Sequence, residues 1–104
     1  MPRFVILEHD DPFPHLDFML EHEGKLRTWR LLSEPTPGAV LQAEPLGDHR
    51  IEYLEFEGPL SGDRGRVRRV DAGTFEWIAK EVARVVVNLN GERFVGRIEL
   101  RFAP

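Results

Sequence analysis

Apolar and polar residues alternate with a period of two along most of this chain, the mark of strands with one face buried and the other wet. The stretch 15–21 is the cleanest case: His15, Asp17 and Met19 fall on one side, and Leu16, Phe18 and Leu20 on the other. Ahead of it, Arg3–His9 opens with a Phe-Val-Ile-Leu run, which predicts a strand buried on both faces. Glu21-His22-Glu23-Gly24 reads as a hairpin turn. The stretch 25–32 then returns with Lys25, Arg27 and Leu31 facing one way, Leu26, Thr28, Arg30 and Leu32 the other, and Trp29 as a bulky anchor. A loop with Pro35 and Pro37 follows, and a short strand is expected over 39–43.

Further along, 51–57 is a strand or a short turn closed by Gly58-Pro59, and 66–70 and 74–78 are expected as two strands joined through Asp71-Ala72-Gly73. Within 75–87, Glu76-Trp77-Ile78-Ala79-Lys80 is open to a helical turn, whereas the β-branched Val85-Val86-Val87 favours a strand. Asn90-Gly91 is the best hairpin signal in the chain. After it Phe94, Gly96, Ile98, Leu100 and Phe102 alternate with Arg93, Val95, Arg97, Glu99 and Arg101, a half-buried strand with a solvated arginine face. Many short strands at close spacing predict an all-β, mostly antiparallel sandwich or barrel with little helix, and the length of 104 residues suits one domain spanning 1–104.

Composition narrows the setting. There is no cysteine, which excludes a disulfide framework and a thiolate zinc site and fits a reducing compartment. No apolar run reaches transmembrane length and the first residues lack a secretory pattern, so a cytoplasmic protein is the expectation. The net charge of −4 argues against strong non-specific binding of nucleic acid. The negative balance lies in the first half, which is poor in Lys and Arg, while Arg64, Arg66, Arg68 and Arg69 crowd together in the second. That cluster reads first as a solvated edge strand and second as a phosphate-contacting ridge.

The chemistry-bearing residues follow from the same strands. His15 and Asp17 are two apart and share one strand face, and His9 lies one short loop upstream (Asp10-Asp11-Pro12-Phe13-Pro14). Two imidazoles and a carboxylate form a facial metal site with open positions for water and substrate. The same spacing is equally compatible with a surface histidine pair beside an ordinary aspartate. A second group, Asp48-His49-Arg50-Ile51-Glu52-Tyr53, offers His49 and Tyr53 as donors to an oxyanion, against the plainer reading of a loop histidine and a core tyrosine.

Taken together, these stretches resemble the 3′-phosphoesterase domain of bacterial DNA ligase D and its stand-alone relatives. The resemblance is carried by Arg3-Phe4-Val5-Ile6 with Glu8-His9, His15-Leu16-Asp17-Phe18 with Leu20-Glu21, Gly24-Lys25-Leu26 with Trp29, Asp48-His49, Tyr53 and Phe56-Glu57-Gly58. Asp71-Ala72-Gly73-Thr74 and Leu89-Asn90-Gly91-Glu92-Arg93 with Gly96 extend it over nearly the whole chain. The resemblance implies a small antiparallel β-barrel and manganese-dependent trimming of DNA 3′ ends, 3′-ribonucleotide and 3′-phosphate alike, during end joining. It implies that His9, His15 and Asp17 hold the Mn2+ (or Zn2+ or another divalent metal). It further implies that His49 and Tyr53 sit beside the scissile phosphate, and that a DNA 3′ end and DNA-repair proteins, not a membrane, are the partners.

The departures from the family concern phosphate. The family has an arginine two residues after the metal aspartate, a glutamine two before the first histidine, a lysine four after the tryptophan and an arginine eight before the third histidine; here those positions are Met19, Leu7, Ser33 and Leu41. An arginine fork on phosphate has no substitute in Met or Leu, and each lost contact costs on the order of 2–4 kcal/mol in the transition state. Arg27, Arg30, Arg50 and the Arg64–Arg69 cluster are the replacement candidates. Two other functions compete: a non-catalytic metal-binding barrel that binds DNA ends or a repair partner, and a cupin-like facial-triad protein acting on another substrate.

Overall fold

Eight strands alternate with short turns in the computed structural model, which describes residues 1–104. They are β1 (Arg3–His9), β2 (His15–His22), β3 (Lys25–Leu31), β4 (Val40–Arg50), β5 (Gly58–Pro59), β6 (Arg66–Lys80), β7 (Arg84–Gly91) and β8 (Val95–Arg101). The hydrogen-bonded order is β1-β2-β3-β4-β8-β7-β6-β5, and β1 also pairs with β6, so seven strands close into a ring with β5 appended to β6. Every pairing is antiparallel except the three-residue contact of β4 with β8. This is the all-β, barrel-like fold that the alternation predicts.

The alternation also divides the apolar residues between two cores. Phe4 and Ile6 of β1, Phe18 and Leu20 of β2, and Trp29 and Leu31 of β3 point inward and join Phe75, Val87, Ile98 and others in a 14-residue cluster that fills the ring. Val5 and Leu7, Met19 and Leu26 point the other way, and with Leu54 and Val67 they form a second cluster of 6 residues on the outer wall. The segment after β4 covers that wall: a 3-10 turn, Ile51–Leu54, presents Ile51, Tyr53 and Leu54 to it. Strand β1 therefore has no wet face, as its apolar run predicts.

Glu23 and Gly24, with φ of 53° and 79°, make the two-residue turn between β2 and β3. The β7–β8 connection is wider than the two-residue turn that Asn90-Gly91 favours, and a buried carboxylate organises it. Asp71 Oδ1 accepts the backbone N–H groups of Glu92 at 2.9 Å and Arg93 at 3.1 Å, along with its neighbour Ala72 at 2.9 Å. Its Oδ2 accepts that of Phe94 at 2.8 Å. A Cβ at Gly91 would collide with this carboxylate and with the Phe4 ring.

Two local expectations, the split of 66–78 and the extent of β4, are corrected, and two open ones, at 76–80 and 51–57, are decided. The two strands expected over 66–70 and 74–78 are one, β6, because Asp71, Ala72 and Gly73 pair with Ile6, Val5 and Phe4 of β1, and Asp71 spends its carboxylate on a distant turn. No helical turn forms at Glu76–Lys80; those residues pair with β7. Strand β4 runs far beyond 39–43, and past Gln42 its second edge is free, where Pro45 is tolerated. Of the two readings of 51–57, strand or short turn, the turn is the one that forms, as a 3-10 turn over Ile51–Leu54.

The arginine face of β8 is centred on a buried acid. Arg101 Nε donates to Glu99 Oε2 at 2.7 Å and Arg84 Nε lies 3.1 Å from it, and both hold the carboxyl below the usual glutamate value of 4.5. Its contribution to stability is full above that value and is lost as pH falls through the lowered folded-state pKa. Glu99→Gln is therefore expected to lower the urea midpoint at pH 7 and to converge with the parent in strong acid. Asp71→Ala removes the carboxylate acceptor of four backbone N–H groups, of which Glu92 has a further acceptor in the Ala72 carbonyl, and is expected to cost about 2–4 kcal/mol, read as a fall in Tm of about 10 °C or more.

Candidate metal centre

The outer wall of β1 and β2 carries the titratable cluster. His9 and His15 face each other directly across the β1–β2 ladder, and Asp17 is the next same-face residue on β2. His15 Nε2 lies 3.3 Å from Asp17 Oδ1, and His9 Nδ1 lies 3.7 Å from Asp17 Oδ2. One ligand atom from each of the three residues falls within 4.8 Å of the others.

The backs of both rings are anchored by carbonyls. His9 Nε2–H donates to the Arg64 carbonyl at 2.7 Å, and His15 Nδ1–H donates to the Phe13 carbonyl at 2.7 Å. A carbonyl oxygen only accepts, so the proton of each neutral imidazole is on the anchored nitrogen, and the opposite nitrogen presents a lone pair. Both lone pairs aim at the Asp17 carboxylate, acceptor against acceptor, and a proton or a cation must sit among them. His15 Nε2 and Asp17 Oδ1 are buried without any hydrogen-bond partner. Burial pushes the Asp17 carboxyl above its ordinary range, against the opposing pull of His15, His9, His49 and Arg30. The donor set fits a divalent cation, which satisfies all three acceptors at once. His15 and Asp17 are almost fully enclosed, while His9 keeps 18% of its side chain exposed, so the cluster opens on the His9 side.

His49 reaches the same wall through a register fault. Leu26 pairs with His49 but Thr28 pairs with Leu46, so β4 holds an extra residue around Gly47-Asp48. Leu41 and Ala43 earlier in β4 face the ring interior; the bulge reverses the phase and turns His49 outward, opposite Leu26 of the outer cluster. His49 Nδ1–H donates to the Gly47 carbonyl at 2.8 Å, which leaves Nε2 free, and the Tyr53 ring stands 5.6 Å away. A hollow of about 100 Å3 is lined by His9, Asp17, Met19, His49, Tyr53 and Arg64 among others. All five sequence-derived site residues thus lie on one side of the barrel, four of them lining this hollow, with His15 behind Asp17.

The replaced positions separate into groups. Met19 is buried in the floor of the hollow and Leu7 lies in the outer cluster beneath it. Leu41 fills the barrel interior and Ser33 is exposed in the loop after β3, so neither borders the centre. Arg30, cross-strand neighbour of Asp17, stacks on Phe13 with its Cζ 5.4 Å from the ring centre. Arg66 and Arg68 face Glu8, Asp10 and Glu57, and Arg68 pairs with Glu8 at 3.3 Å, which makes this part of the arginine cluster an ion-paired surface. The carbonyl anchors and the bulge had no signal in the residue pattern, because both are properties of the backbone.

The structure is a closed small barrel on whose outer wall two histidines and a carboxylate converge. The family model described as the DNA Ligase D 3′-phosphoesterase domain matches residues 7–101. The chain belongs to this family. It is 35% identical over 106 residues to the multifunctional non-homologous end joining protein LigD of Mycobacterium bovis, covering 93% of this chain and 14% of that protein. The LigD of Mycolicibacterium smegmatis is 33% identical over 115 residues, 94% of this chain and 15% of that protein, and that of Pseudomonas aeruginosa is 33% identical over 60 residues, 56% of this chain and 7% of that protein. The chain thus spans about one seventh of the length of the mycobacterial relatives.

Calorimetric titration with Mn2+ or Zn2+ is expected to give one site, and an ion at about 100 times its Kd raises stability by about 2.7 kcal/mol. Asp17→Asn, which removes the charge at the focus of both lone pairs, is expected to abolish that gain. Equal melting temperatures with the ion and with a chelator would argue that the three groups hold no metal.

Proposed function

We propose that this chain is a divalent-metal-dependent phosphoesterase acting on DNA 3′ ends in end-joining repair, with Mn2+ held by His9, His15 and Asp17. The observation that carries the reading is the meeting of two carbonyl-anchored imidazole lone pairs with a buried carboxylate that has no partner for one oxygen. Family membership and the relatives named above, which are end-joining proteins, support the choice of substrate. On this reading residues 1–104 act as one domain of this kind, in the cytoplasm, with DNA 3′ ends and end-joining proteins as partners.

A divalent ion, when bound, supplies Lewis-acid polarisation of a phosphoryl oxygen and acidifies bound water. The chain's own groups do the rest. Asp17 and the two anchored histidines orient the centre without rearrangement, since their rotamers are already held by strand packing and backbone bonds. His49 takes a proton at Nε2 and presents it toward the hollow, where it neutralises charge developing on the phosphate. The Tyr53 hydroxyl adds a second donor. Met19 and the apolar floor exclude water beneath the centre and strengthen these interactions.

The apolar floor also favours a second reading, a metal-binding relative that holds DNA ends or a repair partner without turnover. One experiment separates the two. Mn2+-loaded protein is incubated with a primer-template ending in a 3′-ribonucleotide or a 3′-phosphate, beside an active relative. Trimmed product is expected, and His49→Gln is expected to reduce kcat by about 100-fold or more with Mn2+ affinity unchanged. Intact primers from a protein that binds Mn2+ tightly would sink the enzymatic reading and leave the second.

A further inference from the structure

A second cavity, about 280 Å3, adjoins the hollow over the metal centre and shares Tyr53, Leu60 and Arg64 with it. Its wall adds Arg50 and Phe56. Arg64 is fixed at one edge: Nε–H donates to the Ser61 carbonyl at 2.8 Å and Nη2–H to the Ser61 Oγ at 3.0 Å. The rest of its guanidinium is unengaged. Neither Arg64 nor Arg50 is within ion-pair distance of a carboxylate, whereas Arg3, Arg68, Arg84, Arg97 and Arg101 all have acidic partners. Glu52 is the single acid on this wall, against two guanidiniums. Phe56 keeps about a third of its surface exposed and meets the Tyr53 ring edge-on at 5.8 Å, so an aromatic face is open beside the two cations.

We infer that this cleft seats the terminal nucleotide of the substrate, its base against Phe56 and its phosphate between Arg64 and Arg50. The inference deepens the phosphoesterase reading, on which it rests for the choice of a nucleotide. Three features of the cleft support it. Its size is just below the range of about 300–1,000 Å3 for small-molecule clefts, which suits one nucleotide rather than an oligomer. Free guanidiniums are forks for phosphate oxygens. An exposed aromatic ring beside them is a stacking platform that tolerates any base. Two cations on the cleft wall also stand in for the phosphate grip lost at Met19. The Arg64 backbone carbonyl orients His9 while its side chain borders the cleft, so the residue that steadies the centre also binds what enters beside it.

The test is equilibrium binding of three probes, thymidine 3′-phosphate, thymidine and inorganic phosphate, by calorimetry with Mn2+ present and again with a chelator. The nucleotide is expected to bind about tenfold or more tighter than inorganic phosphate. Phe56→Ala is expected to erase that advantage. Arg64→Met, which keeps the backbone carbonyl that anchors His9, and Arg50→Met are each expected to weaken the nucleotide by about tenfold, with Arg64→Lys intermediate. Melting curves confirm that each variant is folded, and two independent arginine variants guard against the loss of one. Equal affinity for nucleotide and inorganic phosphate, or parental affinity in Phe56→Ala and both Met variants, overturns the assignment. Turnover is a separate readout. A protein that cleaves no DNA yet shows the expected binding pattern retains the cleft and loses the enzymatic reading; one that cleaves DNA but is indifferent to these substitutions does the reverse.

Discussion

Strand β1 has neighbours on every side. It pairs with β2 along one edge and β6 along the other, buries Phe4 and Ile6 in the ring, and buries Val5 and Leu7 under the segment that follows β4. A strand enclosed in this way cannot slip register, because a shift of one residue would exchange its two apolar faces and move its last residue, His9, to the wrong side. The partners inherit the same constraint. Register fixes His15 opposite His9, and the period of the strand fixes Asp17 beside both. The convergence of three ligand atoms is thus set by ladder geometry, with the two carbonyl anchors as the final adjustment of ring orientation.

The covering segment contributes the rest. Its first residues belong to β4, whose extra residue near Gly47 reverses the phase that buries Leu41 and Ala43 and turns His49 onto the outer wall. Its middle, the Ile51–Leu54 turn, sets Tyr53 against the outer cluster. Its end carries Arg64, whose carbonyl closes on His9. A single stretch from the end of β4 to the start of β6 therefore supplies the second wall of the hollow, the neighbouring cleft and one of the histidine anchors.

What was legible in the residues and what was not divides along physical lines. Strands β1, β2 and β3 could be read because alternation is a local property and each strand buries at least one full face. His15 and Asp17 could be assigned to one face for the same reason, His9, His49 and Tyr53 could be named as candidates from residue type and spacing, and the family resemblance joined the two groups in one expected site. The continuity of β6 could not be read, since Asp71-Ala72-Gly73 has turn chemistry and becomes strand only through its pairing with β1. The same Asp71 was legible as a family position but not as the clasp of a hairpin twenty residues away. The length of β4 was hidden by Pro45 and Gly47, which a strand with a free edge and a bulge accommodates. Nor could the sorting of the replaced positions be foreseen: Leu41 faces the interior while Met19 floors the hollow.

The chemistry of this barrel sits on its outside. The lumen is packed solid by the large cluster, and the groups proposed to bind and react are mounted on the opposite side of the same strands, beneath one surface segment. Tolerance to change is unequal as a result. Exchanges in the outer segment re-aim what is recognised without touching the fill of the ring, so a scaffold of this kind can drift from one ligand to another while its folding machinery is conserved. On the proposed reading, Met19 on β2 in place of the family's arginine, alongside unpaired guanidiniums at Arg50 and Arg64 on the facing wall, has the form of such a relocation, with recognition migrating from the chassis to its cover.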